Sequence, residues 1–153
     1  MKKRTAFIGA ILSLIPLGQP LLIGTGTVLI SSAVIHSLSA KAETNNANSF
    51  YKKGLIKYDQ DDFRGALSEF TKAITINSEY GDAYYFRGRV KKELLDIKGA
   101  IEDYKKAIKI NPNDGRAYYY RAILKEGRRD FQGAIEDYKK AIKINPNDGR
   151  AYY

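Results

Sequence analysis

The 153-residue chain contains no cysteine and a single histidine. Without thiols it can form neither disulfides nor thiolate metal sites, and it is indifferent to the redox state of its compartment. The one histidine, His36, stands in the first forty residues among apolar neighbours, an improbable place for a ligand or a catalytic group. From Glu43 to Tyr153 there is neither His nor Cys, so the commonest general base and any Cys or His nucleophile pair are missing. Ser49, Ser68 and Ser78 have no activating partner in the pattern. Acids do cluster, at Asp59, Asp61 and Asp62 and at the repeated pairs Glu102–Asp103 and Glu136–Asp137. Adjacent acids on a helix point in different directions, so these read as solvated surface, and no loop has the spacing of a calcium hand. The expectation is a protein that is not an enzyme, with no catalytic residues, no metal and no cofactor.

Charge is absent between Thr5 and Ala40, directly after the basic start Lys2-Lys3-Arg4. Small residues at alternate places follow in Ala40-Lys41-Ala42. That order is the order of a secretory signal peptide, but the apolar part is longer than the usual ~7–15 residues. Pro16 and Pro20 divide it into Phe7–Ile15 and Leu21–Leu38. The second run approaches the minimum for a bilayer-crossing helix. Residues 1–42 are therefore read as a cleaved signal peptide or a retained signal anchor. Either reading keeps the basic start inside and sends the rest across the membrane, to a periplasmic, lumenal or extracellular location or to the outer membrane face. Membrane attachment runs through residues 5–40. Gly24-Thr25-Gly26-Thr27 resembles a phosphate loop but lacks the lysine and the following amphipathic helix that such a loop needs.

Of the 26 basic residues, four precede Glu43, and all 17 acids follow Lys41, so the remainder carries +5 of the net +9. That disfavours cationic partners and selects no class of anionic one.

What the chain has in abundance is repetition. The twenty residues Ala100–Tyr119 return unchanged as Ala134–Tyr153, offset by 34 residues, and a looser copy lies one period upstream. A fixed period of this length means stacked supersecondary units. Residues 43–46 read as a polar linker, and the units fall at 47–80, 81–114 and 115–148, with 149–153 opening a fourth. Each unit shows two helical patterns. In the second unit Ala83, Tyr84, Arg87, Gly88, Lys91 and Leu94–Leu95 mark the first helix, with Asp82 as a cap or first-turn residue. Asp96–Gly99 reads as the turn. Ala100, Ile101, Tyr104, Ala107 and Ile108 share one face of the second helix, which Asn111–Asp114 ends. Small residues at fixed phase (Gly54, Gly88, Ala122; Ala66, Ala100, Ala134) mark close helix approach. Large neighbours, Tyr84, Tyr118, Phe70, Tyr104 and Tyr138, fill the grooves around them.

On these residues the chain resembles the tetratricopeptide repeat proteins. The period matches, as do the aromatic opening (Phe50, Tyr84, Tyr118), the small residues, the second-helix aromatic, the later Ala (Ala73, Ala107, Ala141) and the closing Pro112 and Pro146. Ser78 replaces that proline in the first unit. Lys53, Arg87 and Arg121 replace the usual Leu, and Lys57, Lys91 and Lys125 stand where an aromatic is usual; these substitutions either relax packing in the first helix or cover the core with their aliphatic stems. The resemblance implies an all-α, right-handed solenoid of antiparallel helix pairs. It also implies a concave groove, lined by first helices, that binds a peptide or partner protein.

By phase the groove set is Tyr51, Leu55, Tyr58, Tyr85, Arg89, Lys92, Arg116, Tyr119 and Ile123. Tyr51, Tyr85 and Tyr119 share one phase, and either form a binding ladder or simply pack between helices. Arg89, Lys92 and Arg116 suit an acidic or C-terminal peptide. Two other readings stand beside the scaffold. One is self-assembly, a homo-oligomer through an uncovered last helix at Ile135, Tyr138 and Ile142. The other, disfavoured by the modest and mixed charge, is single-stranded nucleic acid.

Overall fold

The computed structural model describes residues 21–23, 26–28 and 32–147. The expected run Phe7–Ile15 and the fourth-unit stub at 149–153 lie outside the described residues. Two units are distinguished by their internal contacts, residues 1–42 and 43–153.

In the first unit, strands β1 (Leu21–Ile23) and β2 (Gly26–Val28) pair antiparallel, Leu21 opposite Val28 and Ile23 opposite Gly26. Leu21–Leu38, which the sequence offers as a membrane-crossing helix, is therefore not one helix. Its first part holds these two strands. Among the described residues no helix is long and apolar enough to cross a membrane. Helix α1 spans Ser32–Asp59. Residues 43–46, read as a linker, lie within it as exposed helical positions, and so does Ala40-Lys41-Ala42. His36 is exposed on α1, its Nδ1 2.7 Å from the Ser32 carbonyl one turn earlier.

The second unit is an all-α array. After α1 come α2 (Phe63–Ile76), α3 (Gly81–Glu93), α4 (Ile97–Ile110), α5 (Gly115–Gly127) and α6 (Phe131–Ile144). The short connections make sequential helices antiparallel neighbours. α1–α2, α3–α4 and α5–α6 are the three helix pairs.

Local chemistry sets the helix ends at the same phase in every pair. Asp62, Asp96 and Asp130 are N-caps, accepting from the backbone N–H of Gly65, Gly99 and Gly133 at 2.9, 2.9 and 3.0 Å. The expected turn Asp96–Gly99 is thus already the first turn of α4, because an aspartate cap starts the helix at Ile97. The chain reverses instead at Asp61, Leu95 and Arg129, which have φ of 58°, 64° and 64°. The N–H after each reaches back to close the preceding helix: Asp62 to the Lys57 carbonyl, Asp96 to Lys91, Asp130 to Lys125, all at 2.8–2.9 Å. Tyr80 occupies the N-cap of α3 without a side-chain bond, leaving Asp82 as a first-turn acid.

The core is built from the small and aromatic positions the period exposes. Ala66, Phe70, Ala73, Ala83, Ala100, Tyr104, Ala117 and Ala122 are fully buried. A Cβ on Gly54 would sit 2.6 Å from the Phe70 ring, and one on Gly88 2.9 Å from Tyr104. Those glycines are close-approach positions, where the ~1 kcal/mol helix cost of Gly is offset by ring packing.

The repeated acids are not all solvated, as the sequence suggested. Asp103 and Asp137 are 3% and 4% exposed. Arg87 Nε and Nη2 donate to both Asp103 oxygens at 2.8 and 2.7 Å, and Lys91 Nζ lies 2.8 Å away. Arg121 grips Asp137 the same way at 2.7 and 2.6 Å, with Lys125 Nζ at 2.9 Å. So Arg87 and Arg121, standing in place of the usual Leu, bind a buried carboxylate rather than only covering the core with their stems. The fork of a guanidinium matches a carboxylate, and the lysine adds a third charged contact to each. Glu102 and Glu136, one residue away, do face solvent. The first pair departs: Glu69 bonds Lys72 at 2.6 Å and its other oxygen is buried without a partner.

Candidate functional site

The first helices α1, α3 and α5 bring aromatic and basic side chains together. Tyr58 comes from the end of α1, Phe86 and Arg89 from α3, and Tyr120 from α5. The Arg89 guanidinium lies 4.8 Å from the Tyr58 ring centroid, 5.3 Å from Tyr120 and 5.7 Å from Phe86. Three rings from three pairs thus enclose one cation. No carboxylate is within ion-pair distance of Arg89 among the described residues. The rings are themselves packed: Phe86 stacks on Phe70 at 5.9 Å, and Tyr120 stacks on Tyr104 at 6.2 Å. The cage therefore rests on the core, which fixes the position of the guanidinium.

Arg116 behaves differently. It bonds Asp114 through Nε and Nη2, both at 2.9 Å, and Asp82 through Nη2 at 2.7 Å, while its guanidinium covers the Tyr85 ring at 4.6 Å. The hydrogen bonds to Asp114 and Asp82 hold it charged well above the ordinary arginine range. Its charge is already satisfied by the protein.

The three tyrosines at one phase do not form an exposed ladder. Tyr85 is 3% exposed, packed against Phe86, Tyr104 and Tyr120. Burial pushes its phenol up to about 12, as it does that of Tyr51. Tyr51 is half-buried against Phe70, Tyr80 and Phe86. Tyr119 contacts Tyr120 and Tyr138. Of the alternatives open in the sequence, packing accounts for Tyr85. The reason is that its helix lies between two others, so a side chain at this phase meets ring neighbours from both sides. Leu55 joins the Phe70 cluster, Ile123 is half-buried, and Lys92 pairs with its neighbour Glu93 at 2.8 Å.

Phe86 and Tyr120 were not among the expected groove residues, yet they form two walls of the cage. The signal was present: they stand 34 residues apart, one place after the tyrosines.

At the far end of the array, Ile135 is 46% exposed. Tyr138 and Ile142 are half-buried, and the Tyr138 hydroxyl donates to Glu126 at 2.9 Å. An open cleft of about 500 Å³ lies away from the cage, between Pro112, Asn113, Tyr118, Lys140, Lys143 and Ile144. Among the described residues no group of three or more His, Cys, Asp or Glu is placed to hold a metal.

The tetratricopeptide repeat profile matches residues 47–80, 81–114 and 115–148. The chain belongs to the tetratricopeptide repeat family. Comparison with curated proteins finds no match. Among solved structures it is similar to the Arabidopsis OM64 TPR domain, at 24% identity and a TM-score of 0.70, covering 72% of this chain and 91% of that one. The first TPR domain of Spaghetti (RPAP3), bound to the HSP90 peptide SRMEEVD, aligns at 20% identity and 0.69, covering 71% and 86%. The TPR2B domain of yeast Sti1, in a complex with an Hsp70 peptide, aligns at 24% and 0.64, covering 68% and 86%. These likenesses establish the fold: stacked antiparallel helix pairs.

Proposed function

We propose that this protein is a non-catalytic scaffold that holds an extended, acid-bearing peptide of a partner protein along its first helices. The observation that carries the reading is Arg89. A half-buried guanidinium with three rings around it and no carboxylate partner has lost water without gaining an ion pair. Cation–π contacts offset part of that loss, at roughly 0.5–2 kcal/mol each. A ligand carboxylate can supply the rest, since hydrogen bonds to charged groups contribute about 1.5–3 kcal/mol. The aromatic walls offer large contact area at low entropy cost. Two of the similar structures hold chaperone-derived peptides, which supports a peptide as the ligand class. Arg116 is a weaker candidate for the same task, because Asp82 and Asp114 already occupy it. The uncharged run Thr5–Ala40 after a basic start supports placing the scaffold beyond a membrane or at its outer face.

The test is selection from a random peptide library with the full chain, followed by affinity measurement on synthetic winners. Winners enriched in Asp and Glu, and bound at least about tenfold more weakly by Arg89→Gln with unchanged thermal stability, are expected. Winners without acid enrichment, held equally well by Arg89→Gln, would rule the reading out.

A further inference from the structure

A second surface lies on the opposite helices of the pairs and does not depend on the groove. In sequence, α4 and α6 are mixed in charge. In the folded chain their outward faces are predominantly basic, because Asp103 and Asp137 turn inward and are each held by an arginine and a lysine of the preceding first helix. What remains outward on α4 is Lys98, Lys105, Lys106 and Lys109 against Glu102. On α6 it is Lys139, Lys140 and Lys143 against Glu136. Those seven lysines and two glutamates give a balance equal to the whole +5 carried from Glu43 onward. All are exposed, and only Lys105 has an acid near it among them, Glu102 at a long 3.9 Å. Lys105, Lys106 and Lys109 recur as Lys139, Lys140 and Lys143 one period later, so the two helices present the same basic face in tandem.

We propose that this face of α4 and α6 docks on an anionic lipid surface. The charges are lysines, compact and strongly hydrated on flexible stems, which suit diffuse headgroup charge better than bidentate recognition. Each lysine near such a surface strengthens attraction by an amount equivalent to about fivefold in binding, and clusters of four to eight are the recognisable footprint. Single-stranded nucleic acid is less well matched. Its binders interleave aromatics for base stacking, and no exposed residue between Lys98 and Lys109 or between Lys139 and Lys143 is aromatic. The same chain also carries the uncharged run Thr5–Ala40, so a bilayer is a surface it has other reason to meet. Its balancing acids are internal, which makes the basic face a product of folding rather than of composition.

The experiment is co-sedimentation of the full chain with vesicles of phosphatidylcholine alone and of phosphatidylcholine mixed with phosphatidylglycerol. Two variants with equal loss of charge are compared: Lys106→Gln/Lys140→Gln on this face and Lys52→Gln/Lys53→Gln on α1. Glutamine and lysine have similar helix propensity, so both variants should fold, which thermal melts confirm. Expected is a gain on phosphatidylglycerol that falls with salt, reduced at least about tenfold by the α4–α6 variant and little by the α1 variant. Equal binding to both vesicle types, or equal reduction by the two variants, overturns the proposal. So does a single-stranded oligonucleotide that binds the same lysines more tightly than the anionic vesicles do and displaces them.

Discussion

Single residues in this chain take their meaning from the side to which a helix turns them. Asp103 and Glu102 are adjacent, chemically close, and opposite in fate. Asp103 sits under Arg87 and Lys91, whose side chains are 17% and 19% exposed, while Glu102 meets water. Removing the buried carboxylate leaves two largely desolvated cations facing each other. Breaking a buried pair from one side costs about 3–5 kcal/mol, whereas surface changes stay within about 0.5. Asp103→Ala is therefore expected to lower stability by about 3 kcal/mol and Glu102→Ala by almost nothing, measured by urea denaturation of the full chain. Similar midpoints for the two variants would show that the buried cluster contributes no net stability. Adjacency along the chain carries no hint of this difference. The recurrence of Arg87, Lys91 and Asp103 as Arg121, Lys125 and Asp137 did hold the clue, since basic residues replaced apolar ones at two core-facing phases opposite one acid. Phe86 and Tyr120 do not stand out in the sequence for a related reason: phase alone identifies equivalent positions, but not which of two adjacent rings is covered by the next helix.

At the scale of the element, the helix boundaries show how a repeat tolerates imperfect local chemistry. The caps Asp62, Asp96 and Asp130 do not stand out, Asp96 reading only as part of a turn, but the period and the close-packed Gly and Ala positions were legible because each depends on short-range spacing. The reversal points were not. Glycine is the usual residue at a helix end with positive φ, and this chain puts Asp61, Leu95 and Arg129 there instead. The left-handed conformation costs a side-chain-bearing residue about 1–2 kcal/mol. Leu95 is 82% exposed, so its side chain contributes little burial in return. Leu95→Gly should raise stability by about 1 kcal/mol, seen as a higher melting temperature, with Arg129→Gly similar and Asp61→Gly smaller, because aspartate tolerates this region better. A melting temperature lowered by Leu95→Gly would mean that the leucine makes contacts in the unfolded or folded chain that outweigh the relief. The first unit shows the opposite failure of local reasoning. Leu21–Leu38 is apolar enough to suggest one helix, but hydropathy alone does not distinguish a helix from the strands at Leu21–Ile23 and Gly26–Val28.

For the whole molecule, the duplicated segment is an internal control supplied by the sequence itself. Ala100–Ile110 and Ala134–Ile144 are identical, so their unfolded amides exchange with solvent at matched intrinsic rates. Only their surroundings differ. Tyr104 is fully buried between Tyr85 and Tyr120, and Ile101 packs against the same cluster. Their counterparts Tyr138 and Ile135 are half-buried and 46% exposed. In a solenoid, stability is a sum of unit and nearest-neighbour terms, so a helix covered on both sides opens less often than one covered on one side. Amides of Ala100–Ile110 should therefore be more protected than those of Ala134–Ile144, residue by residue, in exchange followed by resolved NMR signals at low protein concentration. The comparison also addresses self-assembly through Ile135, Tyr138 and Ile142. If that face packs on a second copy, the gap in protection closes as concentration rises, while sedimentation reports a growing species. A gap that persists unchanged over the same range, with a constant monomer mass, excludes that assembly.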